Sequence, residues 1–168
     1  MILKLILMAM IFTVASGLAA AQESRANQPK FDVPEGLKEN LAKRRIKQEE
    51  EDFQELLNRS EEAVKLSEEL VKSFEENKKL STEDTKKLEK LEKVVKKIRR
   101  DLGAEDEKSE QVDENPATLP STLTALNDKA TDLLTELKKT GRFAISVVAV
   151  ESSNAIFRLV KFLRFNKN

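Results

Sequence analysis

The chain has 168 residues, with 30 lysines and arginines and 30 aspartates and glutamates, so its formal net charge is zero. It contains no cysteine and no histidine, which excludes disulfides, thiolate nucleophiles, structural zinc sites and imidazole acid–base catalysis. Phenylalanine is the only aromatic residue, and there are four glycines and four prolines, a composition that disfavours β-sandwiches and barrels and favours long helices.

Residues 1–21 have the organisation of a secretory signal peptide. Lys4 supplies the positive start, residues 5–15 form an apolar core, and residues 19–21 are alanines that a signal peptidase accepts. We expect cleavage near Ala21 and export to the periplasm or out of the cell. The alternative is an uncleaved N-terminus that holds the protein at the membrane, because the apolar stretch is nearly long enough to span a bilayer.

After a polar lead-in over 22–34, predicted to be disordered, residues 35–103 predict two long helices joined by a short turn. Apolar residues recur at spacings of three and four in both halves, as on a helix with one buried face. Ser81 and Asp84 predict a capping box at the start of the second helix, and Gly103 predicts a left-handed end to it. The predicted seam of the second helix is Leu88, Leu91, Val95, Ile98 and Leu102.

Charge is distributed in blocks along these two helices. Residues 49–76 carry eleven acids and three bases, whereas residues 86–100 carry eight bases and two acids. This pattern predicts an antiparallel hairpin in which opposite charges flank a shared apolar seam. The alternatives are that the charges form solvated faces, or that they pair between chains in a coiled coil.

Residues 104–120 are acidic and contain proline, which predicts a disordered linker. Residues 121–168 form the C-terminal segment, with a third helix that starts near Ser121 and ends at Thr140. Residues 143–150 have strong β propensity, but a single strand would leave its hydrogen bonds unpaired. We therefore favour a helix over 147–164, and the fold class is all-α: a long, coiled-coil-like antiparallel hairpin, a linker and a C-terminal helix pair.

The C-terminal helix carries the candidate contact surface. Bases alternate with aromatic residues there, and no acid follows Glu151. We expect Phe157 and Phe165 to lie away from the packed face, where they could contact a protein partner or an anionic membrane. The alternative is that this helix only closes a small bundle. The candidate contact residues are Phe157, Arg158, Lys161, Phe162, Arg164, Phe165 and Lys167.

Catalytic chemistry has no support in the sequence. The paired carboxylates lie on predicted solvated helix faces, and the four scattered glycines cannot form a phosphate loop or a nucleophile elbow. We predict no enzyme activity, no cofactor or metal, no small-molecule substrate and no nucleic-acid partner.

The run from Leu88 to Gly103, and Glu151 to Asn154 before a basic, aromatic helix, resemble uncharacterised exported helical proteins of bacteria. This resemblance implies an envelope protein without assigned activity. A broader likeness is to periplasmic holdase chaperones, although the near-neutral charge departs from theirs. The expected function is non-catalytic interaction in the bacterial cell envelope through helix–helix contacts. The alternatives are a membrane-surface protein docked by its C-terminal helix and a holdase-type chaperone.

Overall fold

The computed structural model describes residues 34–104, 118–142, 144 and 146–165. Within those residues it contains four α-helices and no strand, which confirms the all-α class. The helices are α1 (Glu35–Asn77), α2 (Thr82–Asp101), α3 (Leu119–Thr140) and α4 (Val147–Phe165). The predicted signal peptide, the lead-in up to residue 33 and the linker residues 105–117 lie outside the described ranges.

The chain divides into two compact units, residues 1–40 and residues 41–168. In the first unit, the described residues are Pro34 and the beginning of α1, all exposed to solvent. The second unit contains the remainder of α1 and the other three helices, and the core lies within it.

Local signals set the ends of α2 as predicted. The Ser81 hydroxyl accepts a hydrogen bond from the backbone N–H of Asp84 (3.1 Å), and the Asp84 carboxylate accepts one from the backbone N–H of Ser81 (2.8 Å). At the other end Gly103 has φ of 70°. Its N–H donates to the Arg100 carbonyl, and the N–H of Ala104 donates to the Arg99 carbonyl, the bond pattern by which a left-handed glycine ends a helix.

Helix α3 begins at Leu119, two residues before the predicted start near Ser121. Thr118 is the N-cap and forms a capping box with Ser121. Pro120, which the sequence placed in the linker, lies in the first turn of the helix. Proline is favoured there because that turn has no intrahelical partner for its N–H groups.

Helices α1 and α2 form the predicted antiparallel hairpin. Lys87 Nζ lies 3.3 Å from Glu69 and Lys90 Nζ lies 2.6 Å from Glu62, and Arg59, further towards the start of α1, pairs with Asp101 at the end of α2. Positions on α2 therefore increase as their partners on α1 decrease. The acidic and basic blocks meet as the charge pattern predicted.

Helix α3 packs antiparallel to α1. Ser67 Oγ donates to Asn127 Oδ1 at 2.9 Å, and Lys138 Nζ lies 3.0 Å from Glu61. Since α2 is also antiparallel to α1, α2 and α3 run in the same direction. The end of α2 and the start of α3 therefore lie at opposite ends of the bundle.

Helix α4 completes a four-helix bundle by packing on both α2 and α3. Its contacts with α2 run antiparallel, from Arg99 with Asn154 to Glu92 with Arg164. The core is one cluster that joins all four helices, and burial of each large aliphatic side chain contributes about 1.5–3 kcal/mol. The largest fully buried apolar side chains are Leu70, Leu88, Leu91, Val95, Ile98, Leu123, Leu126, Leu133, Ile156, Val160 and Leu163.

Candidate functional site

Phe157, predicted to lie away from the packed face, is buried: 8% of its surface is exposed. Its ring lies beneath three cations from two helices. The Arg99 guanidinium is 4.6 Å from the ring centroid, Lys161 Nζ is 4.7 Å away and Lys96 Nζ is 5.7 Å away. The expectation was wrong because the basic face of α2 packs on this part of α4, where the cations are attracted to the face of the ring.

Arg164 also acts within the bundle. It pairs with Glu92 and lies 3.5 Å from Glu89, both on α2. Burial alone would raise the pKa of Glu92, but hydrogen bonds from Lys96 and Arg164, together with their charges, hold that pKa below its ordinary value. Arg164 therefore joins α4 to α2. Glu89 and Glu92 lie one turn apart on α2, but their spacing could predict this contact only if α2 and α4 were already known to pack together.

The other predicted contact residues remain at the surface to different degrees. Phe165 is 81% exposed and Lys161 is exposed, whereas Arg158 and Phe162 are half-buried. Lys167 lies outside the described residues. The structure therefore brings Phe157 and Lys161 together and leaves Phe165 largely exposed at the end of α4.

A buried polar network between α2 and α4 was not predicted from the sequence. Arg99 is only 7% exposed. Its Nε donates to Asn154 Oδ1 at 2.7 Å, and one terminal nitrogen donates to the Ala104 carbonyl at 2.8 Å. The network connects the end of α2 to the middle of α4. The run of small polar residues from Ser152 to Asn154, which is buried on α4, was the available signal.

The outer face of α2 is basic and has few internal partners. Lys86, Lys93 and Lys97 are exposed, and within the described part of the chain none of them forms an ion pair. Arg158 on the neighbouring helix α4 is half-buried, and it also forms no ion pair with a described residue. This face offers positive charge to solvent, but no aromatic side chain on α2 accompanies it.

Among the described residues, the longest stretch of helix that is exposed throughout is the early part of α1. From Leu41 onward α1 is about 55 Å long at 1.5 Å per residue, whereas the other helices are each about 30 Å long. Every residue from 41 to 52, which we call the α1 extension, is exposed. It carries two large apolar side chains, Leu41 (54% exposed) and Ile46 (51% exposed).

The apolar stripe of α1 continues into this extension. Ile46 precedes Phe53 by seven residues, which places both on nearly the same face of the helix. Phe53 is half-buried and packs against the core, whereas Ile46 is 51% exposed and lies outside that core cluster. Exposed ion pairs one turn apart strengthen the helix locally, between Arg45 and Glu49 (4.0 Å) and between Lys47 and Glu51 (3.5 Å).

A cleft of about 510 Å³ lies where the extension meets the bundle. Phe53, Leu56 and Leu137 contribute apolar surface to it. Its cations already have partners: Arg59 pairs with Glu55 and Asp101, and Arg142 lies 3.3 Å from Glu50. The described residues contain no cluster of three groups suited to hold a metal ion.

Among the helices that the structure describes, none is both long and apolar enough to cross a membrane. No protein-family model matches the chain, and neither the curated proteins nor the solved structures include one that is similar to it. A function can therefore be inferred only from the sequence and from the geometry of the described residues.

Proposed function

We propose that this is a non-catalytic, exported helical protein of the bacterial cell envelope that acts through helix–helix contacts made by the α1 extension. The observation that carries the proposal is the exposure of all residues from 41 to 52 on a helix whose apolar stripe continues past the bundle. The signal-like residues 1–21 support export.

The physical argument concerns the stability of the extension. A helical segment of about 12 residues is marginal in water without tertiary contacts. Local ion pairs such as Arg45–Glu49 contribute only a few tenths of a kcal/mol each. Contact with another helix would bury Leu41 and Ile46 and stabilise the extension, as when an apolar helix face meets a complementary one.

The test is site-specific photo-crosslinking in bacteria that produce the full chain. A photoreactive residue in place of Ile46 should give adducts that survive denaturation. The same residue in place of Lys86, which is also exposed, on α2, should give far fewer. If the two positions give the same background, the extension is not a contact surface and the proposal is wrong.

Export is tested separately by fractionation and mass measurement. We expect the protein in the envelope or medium with Gln22 as its first residue. A chain that begins at Met1 and is recovered with the membrane would favour the uncleaved alternative. A cytoplasmic location would contradict export altogether.

A second candidate is docking to an anionic membrane surface through the end of α4. It is supported by Phe165, which is largely exposed, and by Lys161 on the same helix. The double substitution Phe165→Ser and Lys161→Glu should abolish flotation with vesicles that contain anionic lipid. Equal flotation of the variant and the unaltered protein would remove this candidate.

The holdase alternative has the least support. It requires an open apolar cradle, whereas three arginines line the cleft next to the extension. Failure to suppress aggregation of an unfolded client would count against it.

A further inference from the structure

We infer that the partner of the α1 extension is the same segment of a second copy of this chain, in antiparallel orientation. The inference rests on the proposed function, because it names the helix that the extension contacts. It is carried by the order of charges along the extension and by the position of its apolar side chains.

The charges of the extension fall into two halves of opposite sign. The first half is basic and the second is acidic, with Gln48 between them. In an antiparallel pair the basic half of each copy lies beside the acidic half of the other, while a parallel pair would place like charges together. The bases are Lys43, Arg44, Arg45 and Lys47, and the acids are Glu49, Glu50, Glu51 and Asp52.

The apolar side chains agree with the same arrangement. One antiparallel register places Ile46 opposite Phe53 of the second copy. It also places Lys47 opposite Asp52 of that copy, because one step forward along one helix corresponds to one step back along the other. Ile46 is half-exposed and Phe53 is only partly covered by the bundle. This register joins the apolar contact with two complementary charge pairs, Lys47 with Asp52 and Arg44 with Glu55, and the twofold axis repeats them. Glu49 and Glu50 of the two copies lie opposite each other at the axis.

The ion pairs within the extension do not prevent this association, and the pair between Glu50 and Arg142 lies where the extension meets the bundle. The pairs within the extension, at 3.5 and 4.0 Å, are made by side chains that are more than half exposed, so they are weak and exchange readily with pairs to another chain. A contact of about 12 residues per chain covers roughly 18 Å of helix. The expected dimer is therefore weak and sensitive to salt.

The first experiment is a charge swap measured by sedimentation velocity on the purified protein. One variant carries Arg44→Glu, Arg45→Glu and Lys47→Glu; the other carries Glu49→Lys, Glu51→Lys and Asp52→Lys. Each variant alone should associate at least about tenfold more weakly than the unaltered protein. An equimolar mixture of the two should form a mixed dimer, because a predominantly acidic extension then meets a predominantly basic one.

Two controls accompany the swap. Lys86→Glu, Lys93→Glu and Lys97→Glu reverse the same number of charges on α2 and should leave the dimer unchanged. Raising the salt from about 50 to 500 mM should weaken the dimer of the unaltered protein about tenfold. Circular dichroism establishes that each variant keeps its helices.

Orientation is tested with engineered cysteines, which is straightforward because the chain has none. The single variants Lys47→Cys and Asp52→Cys should form a disulfide with each other when mixed, and much less with themselves. Self-crosslinking as efficient as the mixed reaction would contradict the antiparallel register.

The results separate this inference from the proposed function. If the protein is monomeric up to about 1 mM, or the mixed variants do not associate, the inference is wrong. Photo-crosslinks from position 46 to a different protein would then leave the proposed function standing. Absence of adducts at that position would remove the proposed function as well.

Discussion

The two parts of α1 in the second unit share one helical pattern but have different surroundings. In residues 53–77 the apolar stripe is covered by α2 and α3, and Ala63 and Leu70 have no exposed surface. In the α1 extension, Leu41 and Ile46 are about half exposed. The apolar spacing therefore specifies a helix in both parts, but only contact with neighbouring helices turns that stripe into a core.

The ion pairs show the same contrast. Two ion pairs of the extension join residues four positions apart on the same helix, at 3.5 and 4.0 Å, and Glu50 at its end pairs with Arg142. The bundle also has pairs between different helices, as in Lys90 with Glu62 at 2.6 Å and Arg164 with Glu92. Charges that mainly support one helix in the extension therefore also help to select neighbouring helices in the bundle.

The largest expected effect tests the difference in burial directly. Leu70→Ala should lower the free energy of unfolding by about 2–5 kcal/mol, because it leaves a cavity in the core. Ile46→Ala should change it by less than about 0.5 kcal/mol in the monomer, because that side chain has little packing to lose. Urea denaturation at low protein concentration measures both, and equal losses would contradict the comparison.

The next effect concerns the buried network of the bundle. Arg99→Ala removes the hydrogen bonds to Asn154 and to the Ala104 carbonyl, and should cost about 2–3 kcal/mol of stability. Arg158→Ala is the matched control, since Arg158 is half-buried and forms no ion pair with a described residue. A double-mutant cycle with Asn154→Ala should show coupling, and strict additivity would mean that the network contributes nothing as a unit.

A smaller effect is expected at the turn between α1 and α2. Burial raises the pKa of Asp84, but hydrogen bonds from the side chain and backbone of Ser81 and from Ser73, with the charge of Lys87, bring it below its ordinary value. Asp84→Asn should cost about 1–2 kcal/mol at pH 7. Glu83→Gln, an exposed neighbour in the same turn, should cost much less.

The lowered pKa also fixes the sign of the pH dependence. The ionised Asp84 contributes fully to the free energy of unfolding above the ordinary carboxyl pKa of roughly 4. This stabilisation is lost as the pH falls through the lowered pKa of the folded protein. Glu92 should contribute in the same direction. Between about pH 7 and pH 2, the free energy of unfolding should fall less steeply with decreasing pH for Asp84→Asn than for the unaltered protein. The same steepness in both proteins would contradict a lowered pKa for Asp84.

The smallest effect is at the end of α2. Gly103→Ala places a side chain on a residue with φ of 70° and should cost about 1 kcal/mol. Gly36→Ala, within the first turn of α1 and with open space around it, should not reduce stability. Thermal unfolding of the two variants separates the backbone effect from the added methyl group.

Features that depend on neighbouring residues were predictable. The capping box at Ser81 and Asp84 and the left-handed Gly103 require only residues within a few positions of each other, and the structure confirms both. The start of α3 was missed by two residues because Pro120 is compatible with a linker and with the first turn of a helix.

Features that depend on distant residues were not predictable in the same way. Phe157 was expected on an open face of α4, but the cations of α2 cover its ring. Arg99 and Asn154 are 55 positions apart, and Arg164 and Glu92 are 72 apart. A helical wheel gives the direction of a side chain relative to its own helix, and it contains no information on which other helix lies there.

The sequence by itself determined the helical class, the hairpin and the caps of α2, because these depend on the spacing of apolar residues, on blocks of charge and on backbone geometry over a few residues. Only the tertiary structure decided which cations are paired, which aromatic residue is buried and which stretch of α1 is exposed. Those outcomes depend on how four helices share one core, since desolvation and pairing act only between side chains that packing brings within contact distance.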